Sequence, residues 1–271
     1  MAASDTRQIN AYWGRRDLQQ LFDEALAAAG RNLNALTIHD LAAVDQYHGG
    51  GKPSTDRLAR LAQFQPGTRV LDVGGGFGGP ARTLAVEHGC HVTVVDLTDS
   101  YVETGRWLTS RLGLGDRVTH RVGDALALAE PDGAYDAVWT QNSGMNIADK
   151  ERLYAGFARV LRRGGLLVIQ EPMAGPTQPP IFPLMWARDA SMSFLRPPAE
   201  MRSLIEAAGF RTRAWEDVTQ ELAGPSTGAA VPAHSIARII MGDAVDEITR
   251  AGQQNRAEGR VVNVQAVFER L

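Results

Sequence analysis

The sequence predicts an α/β fold: a doubly wound, mostly parallel sheet of seven strands with an N-terminal helical cap. Three observations predict it. Short apolar strands alternate with helical patterns from about Ser54 to Gly175. A glycine-rich turn, Gly74-Gly-Gly-Phe-Gly-Gly79, sits where the first strand runs into a helix. Two late apolar strands, separated by a helical excursion, suit an antiparallel pair at the sheet edge.

Residues 1–53 read as the cap. Leu18, Leu21, Phe22, Ala25, Leu26 and Ala29 recur at helical spacing, and Gly30 stops the pattern. Thr37-Ile-His-Asp40 has the form of a capping box opening a second helix toward Val44. Residues 54–175 read as the core. Its strands are Arg69–Val73, His91–Val95, Val118–Val122, Ala134–Thr140 and Gly165–Gln170. Helices fit between them, as at Pro80–His88 and Asp149–Leu161. Residues 176–271 read as substrate-lining helices and the strand pair that completes the sheet. Pro172–Pro180 is too rich in proline and glycine for regular structure. Helices are expected around Trp186 and over Pro198–Ala208, and strands over Phe210–Val218 and Arg260–Glu269.

Composition narrows the function. The chain has 271 residues, 44% hydrophobic, enough for a core without disulfide or metal staples. Its single cysteine, Cys90, fits a reducing, cytoplasmic compartment. Met1–Asn10 lacks an apolar signal core, and no apolar run is long enough to span a bilayer. A formal net charge of -3 argues against a phosphate-tracking surface and so against nucleic acid. The expected partner is a small molecule, and the N-terminal helices could support a homodimer.

The glycine turn admits two readings. Gly74, Gly76 and Gly79 fit the dinucleotide pattern G-x-G-x-x-G. Gly74, Gly76 and Gly78, preceded by Asp72, fit D-x-G-x-G-x-G. Asp72 would repel a pyrophosphate. It suits S-adenosyl-L-methionine, which presents an ammonium and a sulfonium beside a carboxylate. Asp96 and Leu97 end the second strand, where an acid can hold ribose hydroxyls under either reading. Asp124 and Ala125 end the third and could meet an adenine ring. Helix N-capping is the alternative role for Asp96 and Asp124. Acids after three successive strands, all on one sheet edge, favour a shared ligand.

Several motifs carry a resemblance. Val70-Leu-Asp-Val-Gly-Gly-Gly-Phe-Gly-Gly-Pro-Ala-Arg82, Tyr135-Asp-Ala-Val-Trp-Thr-Gln-Asn142 and Leu161-Arg-Arg-Gly-Gly-Leu-Leu-Val-Ile-Gln-Glu-Pro172 are similar to the first, fourth and fifth strand motifs of class I methyltransferases of the sarcosine/dimethylglycine N-methyltransferase group. The resemblance runs from Thr68 to Arg270. It implies a Rossmann-like methyltransferase that binds S-adenosyl-L-methionine, releases S-adenosyl-L-homocysteine and methylates a small molecule, with an amine nitrogen preferred over oxygen or carbon. Asp45-Gln-Tyr-His-Gly-Gly50 resembles the segment that closes over the cofactor. One position departs: related enzymes often carry a histidine after the fourth strand, where this chain has Asn146.

Methyl transfer needs an in-line approach and an acceptor freed of its proton. His48 is the candidate base and Tyr47 the candidate orienting group, with helix-end hydrogen bonding and plain packing as their alternatives. Gln141 is placed on the cofactor. Asn142, Asn146, Glu171, Trp186 and Phe194 are placed on the substrate, the last two as part of an apolar cluster with Phe182, Met185 and Met192 that could equally be core. His88, Cys90 and His91 do not make a metal site, because strand alternation separates them. A nicotinamide-dependent oxidoreductase and a non-catalytic binding protein are the rival functions.

Overall fold

The computed structural model describes residues 12–14, 17–222 and 235–271. The Met1–Asn10 stretch and part of the excursion before the last strand lie outside them. Helices α1 (Leu18–Ala28), α2 (Ile38–Asp45) and α3 (Gly51–Ala62) lead into β1 (Arg69–Val73), α4 (Gly79–Glu87), β2 (His91–Asp96), α5 (Asp99–Arg111) and β3 (Val118–Val122). Then come β4 (Tyr135–Gln141), α6 (Lys150–Val160), β5 (Leu161–Ala174), α7 (Pro198–Ala207), β6 (Phe210–Asp217), α8 (Ile236–Met241), α9 (Val245–Ala257) and β7 (Val261–Arg270).

The seven strands lie in the order β3-β2-β1-β4-β5-β7-β6. All pairs are parallel except those of β7, which runs antiparallel to both β5 and β6. The order reverses between β1 and β4, so a crevice opens there at the carboxyl ends of the strands. Alternation splits the apolar residues into two cores. Leu71, Val73 and Val138 pack with Leu153 and Phe157 of α6 and Ile205 of α7. Val70, Val92, Val94 and Trp139 pack with Leu58 of α3 and Leu84 of α4.

The expected elements meet the structure with three differences. Helix α3 crosses the boundary expected after Pro53 and packs on the sheet, since a proline in the first turn needs no N–H partner. Strand β5 continues past Gln170 to Ala174 because β7 pairs with it that far. No helix forms around Trp186. Pro179, Pro180 and Pro183 withhold backbone donors there, and the chain instead makes a Leu184–Ala187 bridge and a short 3-10 turn at Ala190–Met192. No helix among the described residues is long and apolar enough to cross a membrane.

The capping box is present: Asp40 N donates to the Thr37 hydroxyl and Thr37 N to the Asp40 carboxylate. Helix α2 ends at Asp45, whose Oδ2 lies 2.8 Å from Arg82 Nη2 on α4, both side chains almost fully buried. Arg82 also donates to Thr109 Oγ1 of α5 at 3.0 Å, and Thr109 meets His120 Nε2 of β3 at 2.9 Å. One buried relay therefore ties the cap to three elements of the core. Stranding one member of a buried ion pair costs on the order of 3–5 kcal/mol. Asp45→Ala is expected to lower unfolding stability by about that amount. Urea denaturation checks it, and an unchanged midpoint would contradict the tie.

Candidate active site

A cleft of about 1050 Å³, partly open to solvent, lies over the ends of β1 to β4. The β1–α4 turn forms its floor. Gly74 and Gly76 have φ of 72° and 53°, conformations that glycine adopts without strain. A Cβ on Gly74 would overlap Ser143, so the turn and the loop after β4 touch backbone to side chain. Gly78 does not line the cleft. It caps α4 with φ of 76°, and a Cβ there would lie 2.5 Å from the His120 ring.

Three strand-end acids face this space, with Asp45 of the cap beside them. Asp96 Oδ2 accepts from Gly76 N and Oδ1 from Thr98 N, both at 2.9 Å. Burial raises its pKa, against the pull of those bonds. Asp72 is 1% exposed and its Oδ2 has no partner. Burial, then the Asp96 charge, pushes it up to about 8. Asp124 Oδ1 accepts from Leu126 N at 2.8 Å. Leu97 and Ala125 line the same wall. An acid aimed into the cleft with an unused oxygen, beside glycines that keep the backbone clear, fits a ligand carrying an ammonium group and ribose hydroxyls.

The cap supplies the opposite wall. Tyr47 stacks edge-on against Trp13 at 5.9 Å and donates to Met185 Sδ at 3.0 Å. His48 is held at both ring nitrogens. Nδ1 lies 3.1 Å from Gln141 Nε2 and 3.2 Å from Gly49 O; Nε2 lies 3.0 Å from Gln46 Oε1 and 3.1 Å from Thr55 Oγ1. Either tautomer is satisfied by these groups, so no ring nitrogen can take a proton without displacing one of them. Burial pushes His48 down to about 4.

Gln141, Asn142 and Asn146 line the cleft. Asn142 adopts φ of 58°. Both amide hydrogens of Asn146 are spent on Trp186 O and Met192 O, at 2.8 Å each. The other substrate candidates lie elsewhere. Trp186 is buried among Met145, Leu184 and Met192, with its Nε1 on Ser193 Oγ. Glu171 and Phe194 line a separate cavity behind the β4 loop. Alternation explains Glu171: Gln170 points to the cap side, donating to Gly49 O, so its neighbour points away. Sequence reasoning missed Trp13, Phe77, Tyr101 and Ser143, which all line the cleft. Tyr101 was findable, being in the first turn of the helix after Asp96. Nothing local marks Trp13. Among the described residues no cluster suits a metal.

Residues 70–165, which include the glycine turn and all three acids, match the family model described as a methyltransferase domain. Over that stretch the chain is similar to methyltransferase domains. The sarcosine/dimethylglycine N-methyltransferase of Halorhodospira halochloris is 32% identical over 62% of this chain and 61% of its own length. The glycine/sarcosine/dimethylglycine N-methyltransferase of Actinopolyspora halophila is 36% identical over 45% of this chain and 21% of its own length. The chain therefore spans less than two thirds of either relative. Geranyl diphosphate C-methyltransferase from Streptomyces coelicolor A3(2), solved with S-adenosyl-L-homocysteine, superposes with a TM-score of 0.71 at 19% identity, covering 100% of this chain and 99% of that one. At that identity the likeness is one of fold.

Two histidines, His48 of the cap and His120 of β3, make the fold acid-sensitive. His120 is pushed down to about 3 by burial and then by Arg82 and Arg106. The unfolded chain binds both protons near the ordinary pKa of 6.5, the folded chain only near 4 and 3. Stability from these groups is thus present above pH 6.5 and lost as pH falls from there toward 3. Melting temperature should drop through that window, and His48→Asn with His120→Asn should flatten the drop. A limb of unchanged steepness would contradict the assignment.

Proposed function

We propose that the protein is an S-adenosyl-L-methionine-dependent methyltransferase acting on a small molecule, with an amine nitrogen as acceptor. The observation that carries the cofactor is Asp72, an acid with an unpartnered oxygen inside the glycine turn's cleft. Burial by itself keeps that carboxyl largely protonated; an ammonium would favour its charged form and pair with it, whereas a pyrophosphate would not, which disfavours a nicotinamide cofactor. Asp72 would face the ammonium, Asp96 would accept from the ribose hydroxyls, and Asp124 and Ala125 would meet the adenine. The cofactor, when bound, supplies an electrophilic methyl group on a sulfonium.

The chain's own residues then have three tasks. The aromatic wall of Trp13, Tyr47 and Tyr101 excludes water and suits positive charge, both on the sulfonium side and on a methylated amine. Asn142 orients the acceptor with a neutral amide, and Gln141, whose amide is held by His48, Gln170 and Thr55, lines the cleft on the cofactor side. His48 takes a proton only if Gln141 or Thr55 gives up its contact, so its resting role is that of a neutral hydrogen-bonding group. The nitrogen preference draws on the two named N-methyltransferase relatives. A cytoplasmic setting suits the single buried cysteine, Cys90.

Isothermal titration with S-adenosyl-L-methionine, S-adenosyl-L-homocysteine and NAD tests the cofactor. The adenosyl ligands are expected to bind and NAD is not; binding of NAD alone would overturn the reading. Asp96→Asn removes one charged acceptor, worth about 1.5–3 kcal/mol per bond, and should weaken S-adenosyl-L-homocysteine by about tenfold or more. Unchanged affinity would displace the ribose from Asp96. A screen of amines and then phenols for S-adenosyl-L-homocysteine formation tests the acceptor, and turnover of phenols alone would replace nitrogen by oxygen.

A further inference from the structure

Behind the loop that follows β4 lies a second, small cavity, lined by Gly144, Lys150, Tyr154, Glu171, Phe194 and Met201. It holds two buried ionisable side chains that the cofactor reading does not use. Lys150 and Glu171 are each 3% exposed. They do not contact one another as an ion pair. Both contact the loop instead. Glu171 Oε1 accepts from Gly144 N at 2.8 Å and from Ser143 N at 3.3 Å. Lys150 Nζ donates to Gly144 O and, at 2.8 Å, to Ile147 O. Gly144 is thus gripped at its N–H by an anion and at its C=O by a cation. A Cβ on Gly144 would lie 2.9 Å from Glu171 Oε1, so a side chain there would break the grip.

The grip reaches the cofactor floor through one residue. Ser143 packs against Gly74, and its hydroxyl donates to Val73 O at 3.2 Å and meets Thr140 Oγ1 at 2.6 Å. Charge-assisted bonds to backbone are the strong, well-directed kind. Burying two charges for packing alone is a poor bargain, since apolar residues of similar volume do as well. Burial lifts Glu171 to about 7 and lowers Lys150 to about 8, so both charges are held at a cost that fixed geometry can offset.

We propose that Glu171 and Lys150 are a positioning pair for the cofactor: they clamp the backbone of Gly144, at the peptide groups on either side of its Cα, from the side away from the cleft and so press Ser143 onto the glycine turn. The proposal rests on the reading of the cleft as an S-adenosyl-L-methionine site. It replaces the expectation that Glu171 touches substrate.

The test uses the full chain, S-adenosyl-L-homocysteine as probe, and amide hydrogen exchange with and without it. Glu171→Leu is expected to speed exchange at Ser143 and Gly144 by roughly tenfold or more while Val138–Thr140 stay protected. It should weaken the probe by about tenfold. Glu171→Gln keeps an oxygen that accepts the same two bonds and should stay within about threefold of wild type. Lys150→Met frees the carbonyls of Gly144 and Ile147 and should behave like Glu171→Leu. The double variant should be no worse than either single one, because both grip one residue. Should Glu171→Leu fail to fold, Lys150→Met is read in the same way. Probe affinity unchanged in the folded variants overturns the proposal, as does equal loss in Glu171→Gln and Glu171→Leu, or loss of protection across the whole sheet. A wild-type chain that does not bind the probe overturns the functional reading instead, and exchange at Ser143 and Gly144 in the ligand-free chain still decides whether the grip exists.

Discussion

The turn between β1 and α4 is where the molecule leaves no room. A single added carbon would strike Ser143 at Gly74, Asp72 at Gly75, His120 at Gly78 or the Asp45 backbone at Gly79. Those four neighbours belong to the β4 loop, β1, β3 and the cap. The glycines therefore do more than clear space for a ligand: they let four separate parts of the chain meet at one point. The meeting is enforced by polar bonds as well as by contact. Arg82 reaches from α4 to Asp45 and Thr109, and Asp96 accepts from Gly76 N. A change anywhere in this set is felt at the floor of the cleft.

A second buried network lies under the cap side. Gln170 and Gln265, both fully buried and paired in register on β5 and β7, meet through a 2.8 Å hydrogen bond. Gln265 also donates to Ser54 of α3, and Gln170 to Gly49 O and Asn142 Oδ1. Buried amides are costly unless satisfied, and when satisfied they fix one arrangement. Here Gln265 Oε1 lacks a partner, and the bonds of the other amide groups fix the His48 segment relative to the ends of β4 and β5. That explains why the middle of an otherwise apolar sheet carries glutamines.

Much of the cleft's glycine-and-acid wall was legible in the sequence because it is locally encoded. A strand, a glycine turn and a helix occupy consecutive residues, and Asp96 and Asp124 follow from where the next strands stop. The acceptor side was not. Glu171 was assigned to substrate because it ends a strand at the right edge, but the face it takes depends on its neighbour Gln170 facing the cap. The same alternation that excluded a metal at Cys90 and His91 could have sent Glu171 to the far side. Trp186 and Phe194 sit in a proline-rich stretch with no period to read, so only tertiary contacts decide that one is core and the other lines the rear cavity. Trp13 reaches the cleft from a segment far from the motifs, with no spacing to announce it.

This division has a chemical consequence. The acids and glycines lie within residues 70–165, the matched domain, whereas Trp13, Tyr47 and His48 come from the cap. On the proposed reading, cofactor binding would stay constant while the cap alters the acceptor. The polar groups nearest the acceptor would be the cap's His48, held neutral, and the amides that end β4, with aromatic rings around them. Such a wall supplies direction and dryness more than proton transfer. Catalysis would then lean on alignment of acceptor and methyl carbon, which well-oriented groups can supply to the extent of several kcal/mol. On this view Asn146 in place of a histidine is no loss: its amide hydrogens lock the loop to Trp186 O and Met192 O, and a rigid loop is what alignment requires.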